Sequence, residues 1–473
     1  MHDQKPILRS SAQAAHDQYA NEPLSIVLGE NGQTKPGLMI GAVVSLIVAV
    51  IALALWFLTA NSSAANPGFW GISVASTLFW LSVVQGMIAL GALIRLAHAS
   101  WRFSLTRITD MTSLFGVGVA IVVLPMLGLM RAALYGPLGR TYTGQDFPAT
   151  LKVWEYSQQD FSLSAFKVDI LFVVAAFLAG IFMLGLMSRP DFAVLRDRAP
   201  ESKKGWFRSL AGGWIGATRQ WKVQRWAEGF FAVIIVITFF ASQTSLGWDF
   251  QLAPGKDWDS SIYPFQFSIL ALQGGAAMLV LVMSIVRGRI QNKTMIGDKQ
   301  YDAIGKMMIA FGLIFFYFRW CDYITAWFGH EPSEWPLQVA RISGYPLAFV
   351  CTVLGCMAIP IFANIFGRVR KSPLLLSIVS ICMLVGIWCQ RFLDTTPAFN
   401  YRDMPIDATS MLGGLEAFVG VGALLLLTYF AAIPVYSAVS WWGLSRWRSR
   451  SSVRPFGNST VTVMVEDPPV WEN

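Results

Sequence analysis

Runs of some twenty apolar residues recur ten times along the chain, at 37–59, 70–96, 107–130, 163–187, 226–247, 262–286, 301–328, 338–364, 372–393 and 409–436. At about 1.5 Å per residue each run, wound as a helix, crosses a hydrocarbon layer of roughly 30 Å. Lipid offers the backbone no partners, so a spanning segment must satisfy its own amide groups. The pattern therefore predicts an all-α polytopic membrane protein with about ten transmembrane helices. The run 107–130 departs most from the rule, because Arg107 and Asp110 open it and Pro125 interrupts it. Pro346, Pro360 and Pro434 also fall inside runs, which membrane helices tolerate when neighbours take up the freed carbonyls.

The loops between the runs differ in charge. The connector 188–225 carries Arg189, Arg196, Arg198, Lys203, Lys204, Arg208, Arg219, Lys222 and Arg225, and loops 287–300 and 365–371 and the C-terminal tail are basic too. On the other side, loop 60–69 is uncharged, 248–261 sets Asp249, Asp257 and Asp259 against Lys256, and 329–337 holds Glu331 and Glu334. The positive-inside rule then places both termini in the cytoplasm. The stretch 200–225 reads either as a short amphipathic, Trp-rich helix on the cytoplasmic surface or as a solvated basic loop. No apolar core precedes residue 37, so no cleavable signal peptide is expected.

Composition agrees with this class. The 473 residues are 55% hydrophobic and 14% charged, with a mean hydropathy of +0.51. The net charge of +8 reports orientation rather than nucleic-acid binding. No stretch outside the runs is long enough for a soluble domain, so chemistry that needs one falls to partner subunits. Cys321, Cys351, Cys356, Cys382 and Cys389 form no C-x-x-C pair and suit neither a zinc site nor an iron–sulfur cluster. They read as small packing residues. His2 and His16 lie in the N-terminal tail and His98 and His330 at run ends. That leaves no set of four intramembrane axial ligands for a two-haem core.

Polar groups inside the runs carry the candidate chemistry. Asp169 lies about 9 Å into the fourth run, at a cost of roughly 2.5–3.5 kcal/mol for an acid at the bilayer centre. Gln243 sits near the outer end of the fifth, with Trp248 and Asp249 just beyond, and Gln85 near the middle of the second. The seventh run ends with Arg319 and Asp322, the ninth with Gln390, Arg391 and Asp394. In the inner half Arg95 is expected to snorkel toward the headgroups. Taken singly these residues are helix caps or interface pairs, such as Arg391 with Asp394. Taken together they suggest a polar pocket opening to the outer face.

In order and spacing, several blocks resemble the NrfD-like family, the membrane subunits of polysulfide-reductase-type enzymes. Within that family the likeness is strongest to the larger quinol-binding subunit of alternative complex III, over residues 70–440. The blocks are Trp101-Arg102 with Ser104 and Arg107; Asp169 followed by Pro190-Asp191 and Leu195-Arg196-Asp197-Arg198; and Gly213-Trp214 with Trp221. Then come Trp248-Asp249-Phe250, Ile262-Tyr263-Pro264, Asp322 with Ala326-Trp327, and Gly386-Ile387-Trp388 with Arg391-Phe392.

The resemblance implies two tandem four-helix bundles, helices two to five (70–250) and six to nine (251–393). The first helix and outer loop (37–69) and the last helix (394–440) are then peripheral, with tails at 1–36 and 441–473. It implies quinone or quinol (ubiquinone or menaquinone) bound in the first bundle near the outer face, and no haem or iron–sulfur cluster in this chain. It also implies a bacterial inner-membrane complex with a periplasmic iron–sulfur or molybdopterin-enzyme-like subunit, a multihaem cytochrome c and further membrane subunits. The residues it nominates are Asp169 as proton acceptor, Gln85, Gln243, Trp248 and Asp249 about the quinol, and Arg319, Asp322, Gln390 and Arg391 as a candidate proton path. Four positions depart from the family: Gln85 and Gln243 stand where histidines are expected, Gln390 where an acid is, and Asp322 where a glutamate is. A glutamine can orient a quinol hydroxyl but cannot take its proton. Two other readings stay open. One is a structural anchor of such a complex; the other is a secondary transporter, which the even-numbered repeat of four helices argues against.

Overall fold

The computed structural model describes residues 36–63, 66–99, 101–133, 165–198, 205, 208–215, 217–252, 260–289, 296–330, 334–399, 406–449, 451–456 and 459–464. The expected N-terminal tail, the acidic residues at 257–259, Glu331 and the lysines at 203–204 and 293 lie outside them.

Ten helices among the described residues are long and apolar enough to cross a membrane: Met39–Ser62, Pro67–Leu96, Leu105–Arg131, Lys167–Pro190, Arg219–Leu252, Tyr263–Arg287, Asp298–Gly329, Pro346–Ala363, Pro373–Pro397 and Ala408–Phe430. They are called here the first to tenth spans. The second, third, fourth and fifth spans pack as a closed ring, and the sixth to ninth form another. The second span holds the two rings together, packing on the sixth and ninth as well as on its own ring. It is accordingly buried along nearly its whole length. The first and tenth spans pair with each other on the outside, the tenth covering the second, third and fourth.

Between helices in lipid, association depends on close van der Waals fit rather than on expelling water. Glycines supply that fit at the ring-to-ring contact: a Cβ on Gly86 would lie 1.9 Å from the Ala271 carbonyl oxygen, and one on Gly275 would lie 2.3 Å from the Gly86 carbonyl carbon. The second span starts sharply. Asn66 caps it by accepting from the Phe69 amide at 3.3 Å, Pro67 fills the first helical position, and the Asn66 amide reaches Asp407 Oδ2 at 3.1 Å. Asp407 in turn caps the tenth helix, and the hydroxyl and amide of Ser410 hold its carboxyl below the usual carboxylate range.

Prolines inside three helices share one solution. A proline lacks the N–H that would bond the carbonyl four residues back. For Pro190 that carbonyl is Leu186, which accepts from Gln224 Nε2 of the fifth helix at 3.3 Å, while the next one, Met187, accepts from Arg107 Nη2 at 2.6 Å. Pro360 lies in a π-helical stretch, where the carbonyl five residues back is Gly355; the next one, Cys356, accepts from Gln273 Nε2 of the sixth span at 2.7 Å. For Pro397 the carbonyl four residues back is Leu393, which accepts from Arg341 Nε at 3.2 Å. At each of the three a carbonyl about one turn back is met by a side chain from a neighbouring segment.

Three expectations are corrected. The stretch 200–225 is not one surface helix: the fourth helix continues through Pro190 to Arg198 and the fifth already begins at Thr218. Phe192, Ala193, Ala211 and Trp214 pack together there, with Trp221 against them. The run 338–364 is broken at Tyr345 (φ −131, ψ 57), just before Pro346, and continues as a π-helix over Val353–Ala363. Arg95 does not snorkel; it is 4% exposed and ion-paired inside the bundle. Its Nη2 lies 2.6 Å from Asp110, its Nε 3.2 Å from Glu228, and Arg102 joins the same carboxylate at 3.4 Å. Counter-charges from two other helices remove the reason to reach for headgroups. A short antiparallel hairpin (Ser451–Phe456 with Ser459–Met464) follows the tenth helix, outside the all-α membrane part.

Candidate functional site

Besides the Arg95 cluster, the first ring holds a second group of buried polar side chains, between Gln85 and the Trp248 end of the fifth span. Gln85 of the second span and Gln243 of the fifth meet there. Gln85 Oε1 accepts from Gln243 Nε2 at 2.5 Å and from Ser242 Oγ at 3.0 Å. Both residues are buried. This arrangement leaves one amide donor, Gln85 Nε2, and one amide acceptor, Gln243 Oε1, without a partner among the described residues. An unmet buried donor or acceptor costs about 1–3 kcal/mol, so the pair is poised for a group that is both acceptor and donor.

On the face of the fifth helix that meets the fourth, Asp169 accepts from Ser245 Oγ. Its second oxygen receives no hydrogen bond from a described donor, and the charged groups that act on it are Asp249 and Arg131. Ser245 and Asp249 are four apart, one turn on the same side of the helix. Asp249 is buried and ion-paired, its Oδ2 3.0 Å from Arg131 Nε at the end of the third span. Two carboxyls thus face one guanidinium. With both acids ionised the trio carries one net negative charge, and one proton taken up neutralises it.

Trp248 is 46% exposed and turns away from this cluster. Four of the five nominated first-bundle residues (Asp169, Gln85, Gln243 and Asp249) therefore lie inside the ring, and Trp248 on its surface. Arg131, Ser242 and Ser245 complete the cluster and were not nominated. The i,i+4 spacing of Ser245 and Asp249 was a usable signal; Arg131 offered none, because a span-end arginine looks like any other.

The second ring holds a separate buried charge network. Arg319 Nη1 lies 3.2 Å from Asp322 Oδ2 and 3.7 Å from Asp394 Oδ1, which also accepts from Gln390 Nε2 at 2.7 Å. Arg391 does not close on Asp394 as a local pair. Its Nη2 donates to the Phe267 carbonyl at 3.1 Å and to Ser82 Oγ at 3.3 Å, and its guanidinium lies over the Phe267 ring. Arg319, Asp322, Gln390 and Asp394 thus form one network, with Arg391 beside it against the second span. The five cysteines are free thiols.

Compared with protein-family models the sequence matches none, and compared with curated proteins it matches none.

Proposed function

We propose that the chain is the quinol-binding membrane subunit of a multisubunit quinol:electron-acceptor oxidoreductase, of the alternative-complex-III kind within the NrfD-like family. The observation that carries this reading is the Gln85–Gln243 pair, whose unmet donor and unmet acceptor stand in the same ring as the Asp169–Asp249–Arg131 trio. A quinol hydroxyl is both donor and acceptor, so it matches the pair. Its oxidation releases two electrons and two protons; the electrons leave for partner subunits, and Asp169 takes the protons one at a time, passing the first to the outer aqueous phase before it takes the second. In this reading the acidic-loop end of the bundle faces the periplasm of a bacterial inner membrane, as the basic loops 188–225 and 287–300 favour.

Two results test it. Gln243→Ala removes an orienting hydrogen bond and leaves the acids in place. The expected outcome in the purified complex is a roughly tenfold rise in KM for quinol with kcat little changed; an unchanged KM counts against a quinol at this pair. For orientation, cysteines introduced as Lys203→Cys and Lys293→Cys should react only from the cytoplasm, and Asp257→Cys and Ser333→Cys only from outside. The opposite labelling would put the site on the wrong side for periplasmic partners.

A further inference from the structure

The fifth helix ends in a π turn, Trp248–Leu252, whose two buried polar residues serve different rings. Asp249 belongs to the first, against Arg131. Gln251, two positions on and fully buried, reaches out of it. Its Nε2 donates to Thr395 Oγ1 at 2.8 Å and to the Arg391 carbonyl at 3.4 Å, and its Oε1 accepts from the Tyr263 hydroxyl of the sixth span. Thr395 spends its own hydrogen on the Arg391 carbonyl at 2.7 Å, so a lone pair is what it offers Gln251. The Tyr263 hydroxyl also lies 3.2 Å from Asp394 Oδ2, inside the second ring's charge network.

A π turn gives up the regular i→i+4 ladder, and such turns are uncommon and concentrate at functional sites. The direction of Asp249 therefore depends on what holds the turn, and here the grip comes from the sixth and ninth helices. We propose that Gln251 and Tyr263 are positioning residues for the first-ring site: they aim Asp249 at Arg131 and opposite Asp169. This rests on the quinol reading above. Tyr263 has a single proton and two acceptors, Gln251 and Asp394, so its hydroxyl ties the turn of the first ring to the polar network of the second.

The test uses the assembled complex with Tyr263→Phe, which keeps the ring beside Phe267 and deletes the hydroxyl. We expect kcat for quinol to fall about tenfold with KM nearly constant, and the pH profile of kcat to move by half a unit or more. Gln251→Ala should do the same, and the double variant should add little, since both act through one contact chain. An unshifted pH profile with only a lower melting temperature makes the contact merely structural and overturns the inference. A second readout needs no turnover. Trp248→Cys puts a thiol on the same turn, and its labelling rate, measured against the complex lacking that thiol, should rise about threefold or more when Tyr263→Phe loosens the turn. An unchanged rate overturns the inference even if no quinol is oxidised. Absence of quinol oxidation by the wild-type complex, with labelling that rises as expected, overturns the quinol reading alone.

Discussion

An assembled complex carrying Asp169→Asn should lose quinol-dependent electron transfer by about a hundredfold or more. A positioned general base contributes roughly 10²–10⁴ in rate, and asparagine keeps the size of the side chain and its bond from Ser245 while being unable to take a proton. Asp249 is a poor substitute, since it is ion-paired to Arg131 at 3.0 Å. The measurement is the rate at which added quinol reduces the complex's own acceptor, with subunit content checked by gel. Wild-type turnover by an intact Asp169→Asn complex would remove the proton-acceptor role and favour the chain as a structural anchor. Because the substitution is neutral in volume, loss of assembly is not expected to confuse the result.

The other large effect lies at the opposite end of the first ring. Arg95→Leu would leave Asp110 buried without its 2.6 Å partner, while Glu228 keeps Arg102. Removing one member of a buried pair costs about 3–5 kcal/mol, because the survivor remains as an uncompensated charge. The detergent-solubilised protein should therefore melt well below wild type or fail to accumulate. Adding Asp110→Leu should restore part of the loss, since it removes the acid that Arg95 had balanced. A single Arg95→Leu variant with wild-type melting would show that water reaches this cluster and that the pair is dispensable.

The ten spans were legible because lipid imposes one length and one secondary structure, and both are written in the apolar runs. Their ends were less so. The fourth and fifth helices run on past the apolar stretch at Pro190 and before Trp226, since a helix outside lipid needs a packing partner rather than a greasy sequence, and Phe192 with Trp214 provides one. Asp169, Gln85 and Gln243 could be picked out as polar groups in costly positions. What the sequence did not disclose was their pairing. Arg95 illustrates the difficulty: read alone it snorkels, and only the neighbouring helices show that Asp110 and Glu228 meet it. Gln224, Gln273 and Arg341 were hidden for the same reason, because their acceptors are carbonyls on other segments. Trp248 was misleading in the reverse sense, since adjacency to Asp249 along a helix points the two side chains about 100° apart.

Those three carbonyl acceptors bear on how the molecule can flex. A proline in a lone helix is a compliant joint, and a transmembrane segment ordinarily bends there. Here the joints at Pro190, Pro360 and Pro397 are strapped to neighbours, through Leu186 to Gln224, Cys356 to Gln273 and Leu393 to Arg341. Bending at Pro190 must drag the fifth helix, at Pro360 the sixth, and at Pro397 the segment that precedes Tyr345. The joints therefore work as couplings rather than hinges, and a tilt begun in one helix is handed sideways to the next.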